Sequence, residues 1–134
     1  MDKTRAIVNA VPLLTILQMG LTKDGKILGL ESSINADAGW SMNDGDSVTA
    51  ATMVQSCYNI PSLRVSTYEV RTDTAPPTAT RAPGTINGHA MIEAILEHAA
   101  HEIGISLIEL RKVNLMAKGD PVMPPPVTLS KLQL

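Results

Sequence analysis

The sequence predicts an α+β fold with antiparallel strands in the first half and two amphipathic helices in the second half. The chain is expected to form only part of a domain. A turn-forming pair, Asp24-Gly25, separates two apolar runs near the start, and this is the strongest short-range signal for a β-hairpin. Apolar residues then recur at helical spacing up to Ile103, as in an amphipathic helix. The 134 residues include no Phe, one Trp and two Tyr, whereas an independent domain usually packs more large rings into its core.

The composition limits the classes of function. Hydrophobic residues make up 44% of the chain and charged residues 18%, which is typical of a globular domain of ordinary size. The net charge of −2 provides no basic surface for nucleic acid or acidic lipid. We therefore expect neither a nucleic-acid partner nor a membrane partner.

The chain has a single cysteine, Cys57, which excludes an internal disulfide and an all-cysteine zinc or iron–sulfur site. We expect Cys57 to be a small buried hydrophobic residue. The apolar run over residues 6–19 is interrupted by polar residues and lacks a clear cleavage site, so it resembles neither a secretory signal nor a membrane span. A cytoplasmic location is the default expectation.

The first strands are predicted around the Asp-Gly turn. Residues 1–20 are an uncertain lead-in, in which Val11–Met19 reads equally as a buried strand or as a helix, because a short apolar run does not distinguish them. The run Ile27–Ile34 should pair antiparallel with the residues before Thr22.

The middle of the chain is less regular. Asn35–Asp46 is rich in Asn, Asp, Gly and Ser and is predicted to be a loop in which Trp40 packs as an anchor. Val48–Cys57 is either a helical turn or a strand. Leu63–Thr72 alternates between apolar and polar positions and is predicted to be a strand.

Two helices follow. The first begins at Thr85 or Asn87 and runs to about Ile103, with Gly104 as the residue that ends it. The second begins at a capping box, Ser106-Leu-Ile-Glu109, and is expected to close at Lys118-Gly119. The Pro-rich tail over residues 121–134 should be extended and poorly packed.

The histidines suggest a metal site that the spacing does not support. His98 and His101 lie three residues apart, whereas the zinc-protease motif needs two histidines four apart with a glutamate directly after the first. We therefore assign them to a solvated helix face. The sequence also contains no nucleophile elbow, Walker loop or dinucleotide fingerprint.

The segment from Thr72 to Gly84 is the candidate binding site. It joins a strand to a helix N-terminus through small residues, and such a turn lets a ligand approach the backbone amides that the helix leaves unpaired. Arg81 adds a permanently charged planar group, which we expect to be buried at the corner. Without further information, an ordinary Pro/Thr/Gly turn explains the same residues.

The residue sequence of this segment resembles the molybdopterin-binding region of the aldehyde oxidase and xanthine dehydrogenase family of molybdenum hydroxylases. The resemblance covers roughly residues 21–120, which are assigned to a molybdopterin-binding domain fragment. The Arg-Ala-Pro-Gly form is similar to the insect aldehyde oxidase branch. The matching stretches are Lys23-Asp-Gly-Lys-Ile-Leu28, Gly39-Trp40-Ser41, Cys57-Tyr-Asn-Ile-Pro61, Thr72-Asp-Thr-Ala, Arg81-Ala-Pro-Gly84, Gly88-His-Ala-Met-Ile-Glu93, Glu97-His98, Glu109-Leu-Arg-Lys-Val-Asn-Leu115 and Gly119-Asp120.

The resemblance implies site residues by position. Arg81, with Thr80 and Ala82, would contact the molybdenum–molybdopterin cofactor; the alternative for Arg81 is an ordinary surface arginine in a salt bridge. Pro83 falls where purine-oxidising members place an aromatic ring, and Thr49 where they place a substrate-orienting arginine. The resemblance thus favours an aldehyde or another small carbonyl compound over xanthine.

The family reaction would be oxidation of an aldehyde to a carboxylic acid by molybdenum-hydroxide attack and hydride transfer. No catalytic residue and no direct metal ligand is identified in this chain, so we expect the chain alone to be inactive. FAD and 2Fe-2S clusters are expected in a full-length family member but not here, and the implied partners are the rest of the oxidase chain and a second copy in a homodimer. The alternative is a non-catalytic α+β remnant that acts as a binding or interaction protein.

Overall fold

The computed structural model describes residues 2–10, 13–41, 46–78, 81–120 and 127–129. The domain combines one sheet with three helices among the described residues, which confirms the predicted α+β class. In chain order the elements are β1 (Asp2–Ala10), β2 (Leu13–Leu21), β3 (Ile27–Gly39), α1 (Asp46–Met53), β4 (Leu63–Arg71), α2 (Thr85–Ile103), α3 (Leu107–Asn114) and β5 (Val127–Leu129).

The strands form a single sheet in the order β1-β2-β3-β4-β5. The pairings of β1 with β2 and of β2 with β3 are antiparallel, as predicted for the first half, and Leu13–Leu21 is therefore a strand and not a helix. The predicted hairpin is confirmed, since Gly25 donates its backbone N–H to the Thr22 carbonyl at 3.0 Å. The β3–β4 and β4–β5 pairings are parallel, because α1 and then α2 and α3 lie between these strands in the chain.

The core lies between one face of the sheet and the helices. Because successive strand residues point to opposite faces, every second residue of β2 and β3 faces this core. Full burial of each large aliphatic side chain contributes roughly 1.5–3 kcal/mol, and the absence of Phe is made up by aliphatic residues and methionine. The largest fully buried side chains include Leu17, Met19, Leu21, Ile27, Ile34, Met91, Ile92, Ile95 and Leu96.

The opposite face of the sheet is the outer face. It carries partly or fully exposed side chains, among them Leu14, Leu28, Glu31 and Arg64. The Arg64 guanidinium lies 3.7 Å from the Glu31 carboxylate, and both side chains are well exposed. Such an exposed ion pair contributes little to stability.

The two helices of the second half begin as predicted. Helix α2 starts at Thr85, and Gly104 ends it in a left-handed conformation whose N–H donates to the carbonyls of Ala100 and His101. Helix α3 is capped by the Ser106 hydroxyl, which accepts a hydrogen bond from the Ile108 N–H at 3.3 Å.

Two element boundaries differ from the prediction. The segment predicted as a loop from Asn35 is in fact the second half of β3, which runs to Gly39 because β2 and β4 supply hydrogen-bonding partners on both sides of it. Trp40 does not anchor a loop, since 57% of its surface is exposed; residues 42–45 lie outside the described residues. Helix α3 ends at Asn114 and not near Lys118, because Leu115 turns extended and forms a β-bridge with Tyr58.

Cys57 is exposed, so the prediction of a buried hydrophobic residue is wrong. Residues 48–53 of the ambiguous segment belong to helix α1, and Cys57 lies in the turns that follow it. Its neighbour Tyr58 takes the inward position with 2% exposure. Of the Pro-rich tail, residues 127–129 pair with Val65–Thr67 as β5, and the rest lies outside the described residues. No helix among the described residues is both long and apolar enough to cross a bilayer.

Candidate functional site

The candidate site lies where the chain leaves β4 and enters α2. The exit from β4 is held to the end of β3 by two backbone hydrogen bonds. Thr72 donates its N–H to the Gly39 carbonyl at 3.0 Å, and Trp40 donates its N–H to the Thr74 carbonyl at 3.1 Å. The ordered pairing of the two strands therefore extends past the end of β4.

Asp37 accepts three further hydrogen bonds at this junction. One carboxylate oxygen accepts from the Gly39 N–H at 2.8 Å and from the Thr72 hydroxyl at 2.6 Å, and the other accepts from the Thr74 hydroxyl at 3.1 Å. The hydrogen bond from Thr72, followed by that from Gly39, holds the pKa of Asp37 below its ordinary value. The carboxylate is therefore ionised at neutral pH and serves as a pure acceptor.

Gly39 allows the closest backbone approach in this region. A Cβ at this position would lie 2.6 Å from the Cα of Pro76 and 2.9 Å from the carbonyl carbon of Ala75, and the residue has a φ of +66°. A side chain would collide with backbone atoms that cannot move aside, so only glycine fits here.

The corner itself consists of Arg81, Ala82, Pro83 and Gly84. The first three are exposed and Gly84 is buried. Ala82 and Gly84 both adopt left-handed backbone angles, with φ of 60° and 68°, and no side chain caps the first turn of α2. The corner therefore presents small residues, the N-terminal end of a helix dipole and an exposed guanidinium side by side.

The predicted site residues are placed as follows. Arg81 is exposed, not buried, because no element covers the corner among the described residues. Thr80 lies outside the described residues. Thr49 is half-buried on α1, and the next residue, Ala50, packs its carbonyl against Gly88 in the first turns of α2.

Gly88 permits this contact between α1 and α2. A Cβ on Gly88 would lie 2.6 Å from the Ala50 carbonyl oxygen and 2.8 Å from the Met53 Cβ. The close crossing places the helix that carries Thr49 directly against the beginning of the helix that follows Pro83. The two elements of the predicted substrate pocket are thus neighbours.

Sequence reasoning missed a polar cluster that holds α2 in place. Glu93, on α2, accepts hydrogen bonds from the Tyr58 hydroxyl at 2.6 Å and from the Arg111 Nε at 3.0 Å. Desolvation raises the pKa of Glu93, but the hydrogen bonds from Tyr58 and Arg111 outweigh it, and the pKa lies below its ordinary value. From its position in the helical pattern, Glu93 is predicted to lie on a solvated face. Its two partners could not be predicted, because they come from distant parts of the chain.

Two of the histidines lie on the predicted solvated face of α2. His98 and His101 are both exposed on α2, which confirms their assignment to a solvated face. In the part of the chain that the structure describes, no group of three or more His, Cys, Asp or Glu side chains is placed to hold a metal ion.

A strand-to-helix corner with uncapped amides and an exposed guanidinium is chemically suited to an anionic ligand. The particular family is shown by comparison: residues 4–115 match the family model described as the molybdopterin cofactor-binding domain. The chain belongs to this family, and the predicted resemblance to the molybdenum hydroxylases is confirmed.

Relatives of both predicted branches are similar to this chain. A xanthine dehydrogenase of Blastobotrys adeninivorans is 33% identical over 110 residues, which is 81% of this chain and 8% of that protein. A probable aldehyde oxidase of Caenorhabditis elegans is 29% identical over 104 residues, which is 76% of this chain and 8% of that protein. The chain thus spans about 8% of the length of these curated relatives.

Solved structures share the fold. The aldehyde oxidoreductase of Desulfovibrio gigas superposes with a TM-score of 0.72 at 26% identity, over 81% of this chain and 12% of that chain. Quinoline 2-oxidoreductase from Pseudomonas putida 86 superposes with a TM-score of 0.73 at 23% identity, over 81% of this chain and 14% of that chain. At this identity the comparison supports a shared fold and nothing further.

The residues of the corner fit the cofactor of this family. Molybdopterin carries a phosphate ester, and phosphates are bound by helix N-terminal amides and by guanidinium groups. Here the first turn of α2 has no side-chain cap, Arg81 is exposed beside it, and the small residue Ala82 is exposed as well. The donors that such a group needs are present, and no large side chain within Arg81–Gly84 covers them.

Proposed function

We propose that this chain is part of an aldehyde oxidase-like molybdenum hydroxylase and that its corner supplies one side of the molybdopterin site. The corner at residues 81–84 carries this proposal, because it combines an exposed guanidinium with an uncapped helix N-terminus. Arg81 would bind an anionic group of the cofactor, together with its neighbours in sequence, Thr80 and Ala82. The bound cofactor supplies the redox chemistry, and this chain supplies binding and orientation.

The proposed substrate is a small aldehyde that lies against Pro83 and Thr49. Pro83 is exposed and Thr49 is half-buried, and neither carries an aromatic ring or a positive charge with which to bind a purine. The close contact of α1 with α2 at Gly88 supports a shared pocket. Both xanthine dehydrogenases and aldehyde oxidases are among the relatives, so the preference for an aldehyde rests on these two positions.

The proposed partners follow from the limited span of the chain. Because the chain corresponds to about 8% of its relatives, the remaining cofactor contacts, the catalytic base, the FAD and the 2Fe-2S clusters would come from the rest of an oxidase chain. We further propose a homodimer in the cytoplasm. The net charge of −2 supports the absence of a nucleic-acid or membrane partner.

Molybdenum content tests the role of Arg81. Replacement Arg81→Ala in the molybdenum-loaded protein that contains this chain should lower the metal-to-protein ratio, because a charge-assisted contact to the cofactor is lost. The matched control is Arg64→Ala, which removes an exposed guanidinium from the outer face of the sheet. Equal molybdenum content in both variants would refute the cofactor role.

Polypeptide mass tests whether this chain works as part of an oxidase. An antibody against the peptide Glu109–Asp120 should detect, on a denaturing gel, a polypeptide many times larger than 14.3 kDa. A band at 14.3 kDa would favour the second candidate, a non-catalytic interaction protein. The observation in favour of that candidate is the outer face of the sheet, where Leu14 and Leu28 are exposed beside polar groups.

A further inference from the structure

The carboxylate of Asp37 ties the exit of β4 to β3 through side chains. The hydroxyls of Thr72 and Thr74 both donate to it, and these two hydroxyls also lie 2.8 Å from each other. Because each hydroxyl has one proton and donates it to Asp37, two side-chain hydrogen bonds from the exit of β4 converge on one carboxylate of β3. We call Asp37, Thr72 and Thr74 the exit clamp.

The exit clamp precedes a stretch of chain, at Pro76 and Pro77, whose backbone torsion angles are restricted. Beyond Thr74 the backbone passes Gly39 so closely that a Cβ there would lie 2.6 Å from Pro76. Pro76 is followed by Pro77, and each proline ring holds its own φ near about −65° and restricts the residue before it. The backbone is therefore restricted as far as Pro77, which lies four residues before Arg81 in the sequence.

Backbone hydrogen bonds fasten the helical end of the corner, where the Thr85 N–H donates to the Pro83 carbonyl at 2.8 Å and the Gly88 N–H donates to the Gly84 carbonyl at 2.9 Å. Arg81, Ala82 and Pro83 are exposed, and α2 has no side-chain cap. A binding group on a loop must be held close to its productive position by the supporting structure. Among the described residues, the exit clamp supports the β4 side and the Gly88 contact with α1 supports the α2 side.

We propose that Asp37 is the positioning residue of the cofactor corner, acting through Thr72 and Thr74 on the place that Arg81 occupies. This inference rests on the proposed function of the corner. It assigns to Asp37 no contact with cofactor or substrate. Its role is to reduce the freedom of the segment that presents the guanidinium and the helix N-terminus.

The test uses the 134-residue chain and nuclear magnetic resonance, so it does not depend on activity. Site-resolved amide hydrogen exchange is measured at Trp40 and Thr72, and amide resonances are recorded over residues 81–88. Asp37→Ala should speed exchange at Trp40 and Thr72 by about fivefold or more, because a net hydrogen bond is worth about this factor. The resonances of Ala82 and Gly84 should shift in the same variant.

Two variants separate positioning from a general loss of structure. Thr72→Val removes a donor with little change in shape and should give the same shifts at the corner, whereas Thr72→Ser retains the hydroxyl and should restore the wild-type resonances. The control is Thr22→Val, which removes a hydroxyl that accepts the Lys26 N–H at 3.0 Å near the opposite end of β3. If Asp37→Ala does not fold, Thr72→Val and Thr72→Ser carry the test.

Pyrophosphate serves as the anion probe. Titration of the wild-type chain should shift the amides of the first turn of α2, and Thr72→Val should weaken this affinity by about fivefold. Unchanged corner resonances and unchanged exchange in folded Asp37→Ala and Thr72→Val would overturn the positioning role. A wild-type chain that does not respond to pyrophosphate would count against the proposed anion site, while the corner resonances of the variants still decide the role of Asp37.

Discussion

The hydroxyl of Tyr58 donates a hydrogen bond to the Glu93 carboxylate at 2.6 Å, across 35 residues of sequence. Tyr58 lies in the turns after α1 and Glu93 lies in the middle of α2. Because Arg111 of α3 donates to the same carboxylate, this single side chain joins three segments. These hydrogen bonds hold α2, which begins at the corner, against α3 and the residues after α1.

Loss of the Tyr58 hydroxyl should destabilise the fold. Tyr58→Phe keeps the ring and removes the donor, so we expect the free energy of unfolding to fall by about 1–2 kcal/mol, as for a hydrogen bond to a charged group. Urea denaturation measures this change. Tyr68→Phe is the matched control on the outer face of β4 and should have a smaller effect; equal losses would argue against a special role for the Glu93 contact.

Stability at alkaline pH should depend on the same hydroxyl. Desolvation, followed by the hydrogen bond to Glu93, raises the pKa of Tyr58 to about 12, whereas an unfolded tyrosine ionises near about pH 10. A raised pKa favours the neutral hydroxyl in the folded state. Its contribution is therefore complete below about pH 10 and is lost as the pH rises toward about 12.

Phenolate absorbance checks this shift directly. In Tyr68→Phe the only remaining tyrosine is Tyr58, since the chain has two, and the folded protein should show a single ionisation step near about pH 12. A step near about pH 10 in protein that circular dichroism shows to be folded would contradict the buried hydrogen bond. The difference in urea midpoint between the wild type and Tyr58→Phe should also narrow as the pH rises above about 10.

Asn114 should be among the least replaceable polar residues. It is 2% exposed, its Oδ1 accepts the Ile27 N–H at 2.8 Å, and its Nδ2 donates to the carbonyls of Gly25 and Leu110, each at 2.8 Å. Asn114→Ala leaves these buried backbone groups without their partner and should cost about 2–4 kcal/mol.

The control for Asn114 is Asn35→Ala, which removes a single hydrogen bond of 3.2 Å to the Leu14 carbonyl in an exposed setting. We expect a loss below about 1 kcal/mol there. Thermal denaturation of both variants compares the two. Similar melting temperatures would show that the hairpin is held to α3 by other contacts.

Gly88→Ala should separate α1 from α2. The added Cβ would lie 2.6 Å from the Ala50 carbonyl oxygen, a backbone atom that cannot rotate away, so we expect a loss of about 1–3 kcal/mol from overpacking. Urea denaturation measures this loss, and the control His89→Ala changes an exposed neighbour on the same helix. A Gly88→Ala variant as stable as wild type would mean that the two helices adjust without strain.

The features that could be predicted from the sequence are local ones. The Asp24-Gly25 turn, the Ser106 cap and the Gly104 terminus each depend on residues within a few positions of one another, so their signals survive without knowledge of the fold. The spacing of Met91, Ile92 and Ile95 likewise predicts the buried face of α2. The corner at Arg81–Gly84 can be recognised for the same reason, because small residues immediately precede a segment with a clear helical pattern.

The features that could not be predicted depend on distant partners. The second half of β3 looks like a loop because Asn35 and Asp37 are polar, but β2 and β4 pair with it on both sides and thereby satisfy its backbone groups. Arg81 is predicted to be buried and is exposed, since burial depends on what covers a corner and not on its local chemistry. The threonine hydrogen bonds to Asp37 join residues that lie 35 and 37 positions apart.

The sequence by itself determined the α+β class, the hairpin, the two later helices and the family. Periodicity, turn chemistry and the order of short motifs depend only on the order of residues along the chain. Only the tertiary structure decided which polar groups meet. It placed Glu93 between Tyr58 and Arg111, tied the exit of β4 to Asp37, and left Arg81 exposed at the corner. The physical reason is that hydrogen bonds and burial depend on distances in space, and folding brings together residues whose separation along the chain carries no signal of their contact.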